Sequence, residues 1–232
     1  MATLQDRITA VRTRMNTACA LVQRDPRQVG LICVSKTQPA AAVREAHALG
    51  ERHFGENYVQ EALDKIAALA DLRPGLTWHF IGPLQSNKSR AVAEAFDWVH
   101  SVDSLKLARR LSEQRPAHLP SLQVCVQVNI DDEGSKSGVS PSEALALVDA
   151  IGALPRLQLR GLMSIPAPHP DPGYRGAHDA LAALLRAINQ ARGLQMDTLS
   201  MGMSNDLEAA IAAGATWVRV GTAVFGARPP KA

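Results

Sequence analysis

Three groups of residues have types and positions that could do chemistry. Lys36 closes an apolar run over residues 29–36 and shares the alternation of Ile32 and Val34. If those two face a core, the amine points out of the strand's open end. Desolvated there, it would be a nucleophile able to form a Schiff base with a carbonyl. A solvated lysine at a strand end is the plain alternative. Of the six lysines, only Lys36, Lys88 and Lys136 lie just after strands; Lys65 and Lys106 fall in helical patterns and Lys231 on the tail. The second group, Ser200-Met201-Gly202-Met203-Ser204-Asn205, joins a strand to a helix whose predicted N-cap is Ser204. Such a turn offers backbone N–H groups and a favourable dipole to an anion. The third, Arg219-Val220-Gly221-Thr222, leaves the last strand. Either loop alone is also an ordinary capped helix or turn, but on adjacent strands the two together predict a phosphate site. Arg219 stands among Trp217, Val218 and Val220 and cannot shed its charge, so it needs an acceptor. That acceptor is either a carboxylate or the ring nitrogen of a bound cofactor.

Other chemistries are excluded. The histidines at 47, 53, 79, 100, 118, 169 and 178 show no HxH or HExxH spacing, so no metal site is expected, and His79 and His100 read as satisfied strand residues. There is no GxSxG and no P-loop. A net charge of +3 with two tyrosines and four phenylalanines argues against nucleic acid. Cys19, Cys33 and Cys125 lack CxxC spacing and read as buried, reduced thiols. The N-terminus is charged and amphipathic, and no stretch is apolar enough for a membrane span; a cytoplasmic location follows as the expectation.

The elements that must position these residues alternate in type. A first helix is read from Leu4, Ile8, Val11, Met15 and Ala18. Strands are expected at 29–36, 53–55, 77–81, 98–101, 122–130, 157–164, 196–200 and 216–220. Helices follow each, among them 39–49, one starting at Asp103, one opened by the capping box Ser140-Pro141-Ser142-Glu143, and 204–213. Residues 166–173 form the longest loop. The α/β alternation predicts a single (β/α)8 TIM-type barrel spanning residues 1–232 with an additional N-terminal helix. A doubly wound open sheet is the alternative, and the missing GxGxxG after the first strand counts against it.

Several segments together resemble the pyridoxal phosphate homeostasis proteins: Val34-Ser35-Lys36-Thr37, the HFGENY at 53–58, the HFIGPLQSNK at 79–88, Ser135-Lys136-Ser137-Gly138, Gly161-Leu162-Met163-Ser164, residues 199–206 and residues 218–226. The resemblance implies a barrel similar to the N-terminal domain of alanine racemase that binds pyridoxal 5′-phosphate (PLP). It implies that Lys36 holds PLP as a Schiff base. Ser204, Gly221 and Thr222 would hold the phosphate, helped by the turn from Ser200 to Met203. Arg219 would meet the pyridine nitrogen, Asn57 would lie near the ring, and Lys136 matches a second lysine of the family. An arginine at that nitrogen weakens PLP as an electron sink. The chain ends soon after the last strand, with no racemase-type second domain expected, and neither Tyr58 nor Tyr174 stands in the context of a catalytic base. The expectation is therefore a PLP carrier or regulator without substantial catalysis, a monomer whose partners are PLP and apo-enzymes that use it. The alternatives are a weak racemase-like or Schiff-base enzyme and, last, a nucleic-acid- or partner-binding module.

Overall fold

The computed structural model describes residues 2–131, 137–171 and 173–227. Among them, eight strands pair in parallel, each with the next in sequence, and β8 returns to β1 to close the barrel. The strands are β1 (Gly30–Val34), β2 (His53–Glu56), β3 (Thr77–Phe80), β4 (Trp98–Val102), β5 (Leu122–Gln127), β6 (Leu157–Met163), β7 (Thr198–Ser200) and β8 (Trp217–Val220). After α1 (Leu4–Leu21), a helix follows every strand: α2 (Ala40–Ala48), α3 (Val59–Ala68), α4 (Ser89–Ala95), α5 (Leu105–Gln114), α6 (Pro141–Gly152), α7 (Gly176–Arg192), α8 (Leu207–Ala212) and α9 (Thr222–Phe225). The predicted (β/α)8 barrel with an extra N-terminal helix is the observed one. No helix among the described residues is long and apolar enough to cross a membrane, and none of their side chains cluster as a metal site. All three cysteines are free and buried.

Alternation along each strand sorts side chains into two cores. On β5, Val124 and Val126 pack toward the helices, whereas Cys125 meets Trp98 and Met163 inside the barrel. The barrel interior carries unusual cargo for this fold. Aliphatic layers are the common filling; here the rings of Trp98, Trp217, His53, His79 and His100 pack against one another, with Arg219 and Ser200 beside them. The guanidinium of Arg160 sits 5.1 Å over the Trp98 ring. Gly30 is the concession that admits Trp217, because a Cβ at that position would lie 2.1 Å from its ring.

Some boundaries shift. The capping box forms, with the Glu143 carboxylate accepting from the Ser140 N–H at 3.0 Å. The helix expected at Asp103 starts instead after Ser104, whose hydroxyl accepts from Leu107 N–H. Strand β5 stops at Gln127 because the chain folds back: Val139 N–H donates to Gln127 O and Asn129 N–H to Val139 O. β1 stops at Val34 and β7 begins only at Thr198.

Helix α1 buries the predicted stripe of Leu4, Ile8, Val11, Met15 and Ala18. Its polar side reaches the last two β–α loops. Arg14 pairs with Glu208 at 2.7 Å and donates to Ser204 O, and Arg7 donates to Val224 O. We expect Gly30→Val to lower stability by about 2 kcal/mol through overpacking against Trp217, measured by urea unfolding; wild-type stability would contradict the packing described.

Candidate functional site at the barrel mouth

Lys36 does not end β1; it occupies the turn two residues beyond it and is half-buried. That turn is fixed from beneath by a charged network buried in the wall. Lys65, on α3, donates to Ser35 O (2.7 Å), Glu56 Oε1 (2.6 Å) and Glu61 Oε1 (3.1 Å). Ser35 Oγ donates to Glu56 at 2.6 Å, and the Thr37 N–H donates to Glu61. The peptides on both sides of Lys36 are thus tied to one cluster. The cluster also holds Thr37 at φ +64°, a conformation a β-branched residue adopts only when its surroundings compel it. Burial pushes the Glu56 carboxyl upward, while Lys65 and Ser35 oppose the shift.

The loop after β8 meets the end of β1, just before the Lys36 turn, and the loop after β7 is tied to β8, whose Arg219 N–H donates to Gly202 O. Gly221 abuts Val34, so that a Cβ on it would stand 3.3 Å from Val34 O. Thr222 and Ala223 open α9, where their N–H groups have no acceptor within the helix. Ser204 is not the N-cap of α8; Asp206 is. Asp206 accepts from Met203 N–H at 2.7 Å and from His178 at 3.1 Å. Burial raises the Asp206 carboxyl, but these hydrogen bonds outweigh it and hold the group below its ordinary range. The Met203 N–H is therefore already engaged, whereas the Ser204 hydroxyl and N–H have no hydrogen-bond partner among the described residues. Gly202, at φ +90°, lets the turn pass so close to Ala210 that a Cβ would sit 2.5 Å from it.

Ser200 stands apart from that turn. Completely buried at the end of β7, it accepts from Arg219 Nη1 at 2.9 Å and bonds His100 Nδ1 at 2.8 Å. Arg219 Nη2 donates to Ser164 O at 2.8 Å. Of the two acceptors the sequence left open for Arg219, a carboxylate is not the one found: among the described residues its partners are neutral oxygens. Burial pulls its pKa down to about 10, which leaves it charged at neutral pH. Below it run His100, His79 and His53, linked at 2.9 and 3.0 Å. Burial and the Arg219 charge push His100 down to about 3, burial and the adjacent histidines push His79 well below its ordinary value, and His53 is lowered too. His79 and His100 are satisfied strand residues, as expected, but by each other.

Across the mouth lies a cleft of about 160 Å³ lined by Asn57, Ile81, Pro83, Gln127, Ser137 and Ile165. Four oxygens buried at this end, Asn57 Oδ1, Ser164 Oγ, Thr37 Oγ1 and Glu56 Oε2, have no hydrogen-bond partner among the described residues. Such groups are costly unless a partner arrives. Lys136 lies outside the described residues. Tyr58 and Tyr174 are exposed.

The chain matches the family described as alanine racemase, N-terminal domain, over residues 3–229. It is 60% identical over 228 residues to the pyridoxal phosphate homeostasis protein of Pseudomonas aeruginosa, covering 98% of this chain and 97% of that one. To the protein of the same name in Escherichia coli it is 52% identical over 229 residues, covering 98% and 95%. Among solved structures, PipY of Synechococcus elongatus with PLP bound superposes with a TM-score of 0.84 at 41% identity, covering 97% of this chain and all of that chain. The chain belongs to the pyridoxal phosphate homeostasis protein family. A Corynebacterium glutamicum alanine racemase, 17% identical with a TM-score of 0.70, shares the fold and is covered over 62% of its length.

Within this family member, sequence reading missed the Lys65–Glu56–Glu61 network and the histidine column. The one available signal for the first was apolar company: Lys65 lies among Ala62, Ile66 and Leu69. We expect Lys65→Met to cost about 3–5 kcal/mol, since it strands a buried carboxylate, and Lys65→Met/Glu56→Leu to cost less; equal losses in urea unfolding would contradict the pairing. The folded values of His79 and His100 lie below the usual 6.5, so the unfolded chain binds protons that the barrel refuses. Stability should therefore fall as pH drops from 6.5 toward about 3, by about 1.4 kcal/mol per pH unit for each such histidine. Urea midpoints that do not change between pH 7.5 and 5.5 would contradict this.

Proposed function

We propose that this chain binds PLP at the barrel mouth and serves the cell's PLP balance as a holder of the cofactor rather than an enzyme that turns over with it. The observation that carries the reading is Arg219. It is a buried guanidinium whose partners among the described residues are Ser200 Oγ and Ser164 O, so most of its five N–H donors are left for a ligand. The residues present fit PLP. Asn57 Oδ1 and Ser164 Oγ lack partners, Ser204 and Thr222 offer hydroxyls and N–H groups, and Gly221 keeps the phosphate loop against the Lys36 turn. The solved PipY complex with PLP, at 41% identity, supports the same reading.

In this assignment, Lys36 Nζ, once deprotonated, condenses with the aldehyde carbon as a Schiff base and one water leaves. Ser204, Gly221 and Thr222 bind the phosphate, Arg219 faces the ring nitrogen, and Asn57 lies beside the ring. Ser200 supports Arg219 from below, and Met203 contributes the shape of its turn. Lys136, outside the described residues, is assigned a secondary role as the family's second lysine. Bound PLP supplies an electrophilic aldehyde and, with its nitrogen protonated, an electron sink. A guanidinium donor at that nitrogen disfavours the protonation, so binding is retained and carbanion chemistry is not promoted.

Purified protein incubated with PLP should turn yellow, and borohydride should fix the cofactor on the peptide containing Lys36; Lys36→Ala should abolish both. Failure to take up PLP would overturn the assignment. Amino-acid turnover at about 1–1,000 per second, lost in Lys36→Ala, would favour a racemase-like enzyme. Activation of an apo-enzyme in the presence of a free-PLP trap distinguishes carriage from simple release.

A further inference from the structure

Ser200, His100, His79 and His53 form a single hydrogen-bonded column from Arg219 toward the opposite end of the barrel, with heavy-atom separations of 2.8, 2.9 and 3.0 Å. The direction of every proton in it follows from its top member. Arg219 can only donate, so Ser200 Oγ accepts from Nη1. The Ser200 hydroxyl proton then has one acceptor among the described residues, His100 Nδ1, which must carry no proton. His100 is neutral in this buried setting, so its proton is on Nε2 and is donated to His79 Nδ1. The same step puts the His79 proton on Nε2, donated to His53 Nδ1. His53, only half-buried, lines a cavity of about 840 Å³ at the far face together with Arg12, Arg24, Arg160 and Trp217.

We propose that this column positions Arg219: it commits the Ser200 proton to His100, so toward Arg219 Ser200 Oγ can only accept, and the guanidinium is held with its remaining donors toward the mouth. Ser200 and His100 are thus positioning residues acting through Arg219, and His79 and His53 set the tautomer of His100. Reversing any one imidazole would set two N–H groups, or two lone pairs, against each other inside a dry barrel. The consequence for PLP rests on the assignment made above; the tautomer pattern does not.

Ring-nitrogen ¹⁵N NMR of the PLP-free protein tests the column directly. The expected result is neutral His79 and His100 protonated on Nε2; either one protonated on Nδ1 overturns the proposal, whether or not the protein takes up PLP. In the PLP-loaded protein, His100→Leu should release PLP about tenfold faster and shift the absorbance maximum, while His100→Gln, which can both accept and donate, should restore most of the difference. A folded His100→Leu protein with the wild-type release rate and spectrum overturns the proposal. Should His100→Leu not fold, Ser200→Ala, which removes only the acceptor, decides by the same two readouts.

Discussion

A permanent cation in the middle of a closed barrel must be solvated by the protein itself, and Arg219 imposes that condition on every strand around it. Burying a guanidinium without compensation is costly. The usual remedy is a carboxylate, which would cancel the charge. This barrel uses dipoles instead: a serine hydroxyl from β7 and a backbone carbonyl at the end of β6. Dipoles stabilise the cation but leave its field in place. Burial first, and then the Arg219 charge, holds the adjacent His100 down to about 3. Burial is also the leading cause that lowers His79 and His53, and neutral imidazoles and indoles fill this interior in place of stacked aliphatic layers.

The mouth is built by three structures that need not have been related. The Lys36 turn is held by the Lys65 network, the last two loops are braced by α1 through Arg14 and Arg7, and the floor is formed by Arg219 and Ser200. They converge because β1 and β8 are neighbours: Cys33 stands opposite Val220, so the first and last loops share one corner. Closure of the barrel therefore creates the site. Helix α1 precedes the barrel in sequence and packs over that same seam, where it fastens Ser204 O and Val224 O.

Much of this was legible beforehand, and the limits have physical causes. The strand order and the α1 stripe followed from periodicity, and Lys36, Gly221 and Arg219 followed from where strands end. Helix starts were less secure. Ser204 and Asp103 both have the composition of an N-cap, yet Asp206 and Ser104 take the role, because several small polar residues stand in a row and tertiary partners such as His178 choose among them. Lys65 reads as one more helical lysine because its partner Glu56 belongs to a strand nine residues away. His53, His79 and His100 each look isolated; only the barrel's register stacks β2, β3 and β4 so that the three rings touch.

In the proposed assignment, the same charge separates this site from that of a turnover enzyme. An electron sink at the ring needs a protonated nitrogen, which a carboxylate would favour and a guanidinium opposes. Among the described residues no carboxylate bonds Arg219: Asp206, the acid whose field it feels, is engaged with His178 and the Met203 N–H. Moving Arg219 out of its place would break its bonds to Ser200 and Ser164 in the dry interior. The column beneath Ser200 makes that movement expensive, because the hydroxyl and three imidazoles are arranged around an arginine that stays. Rigidity at this position is what the proposed holding role would require.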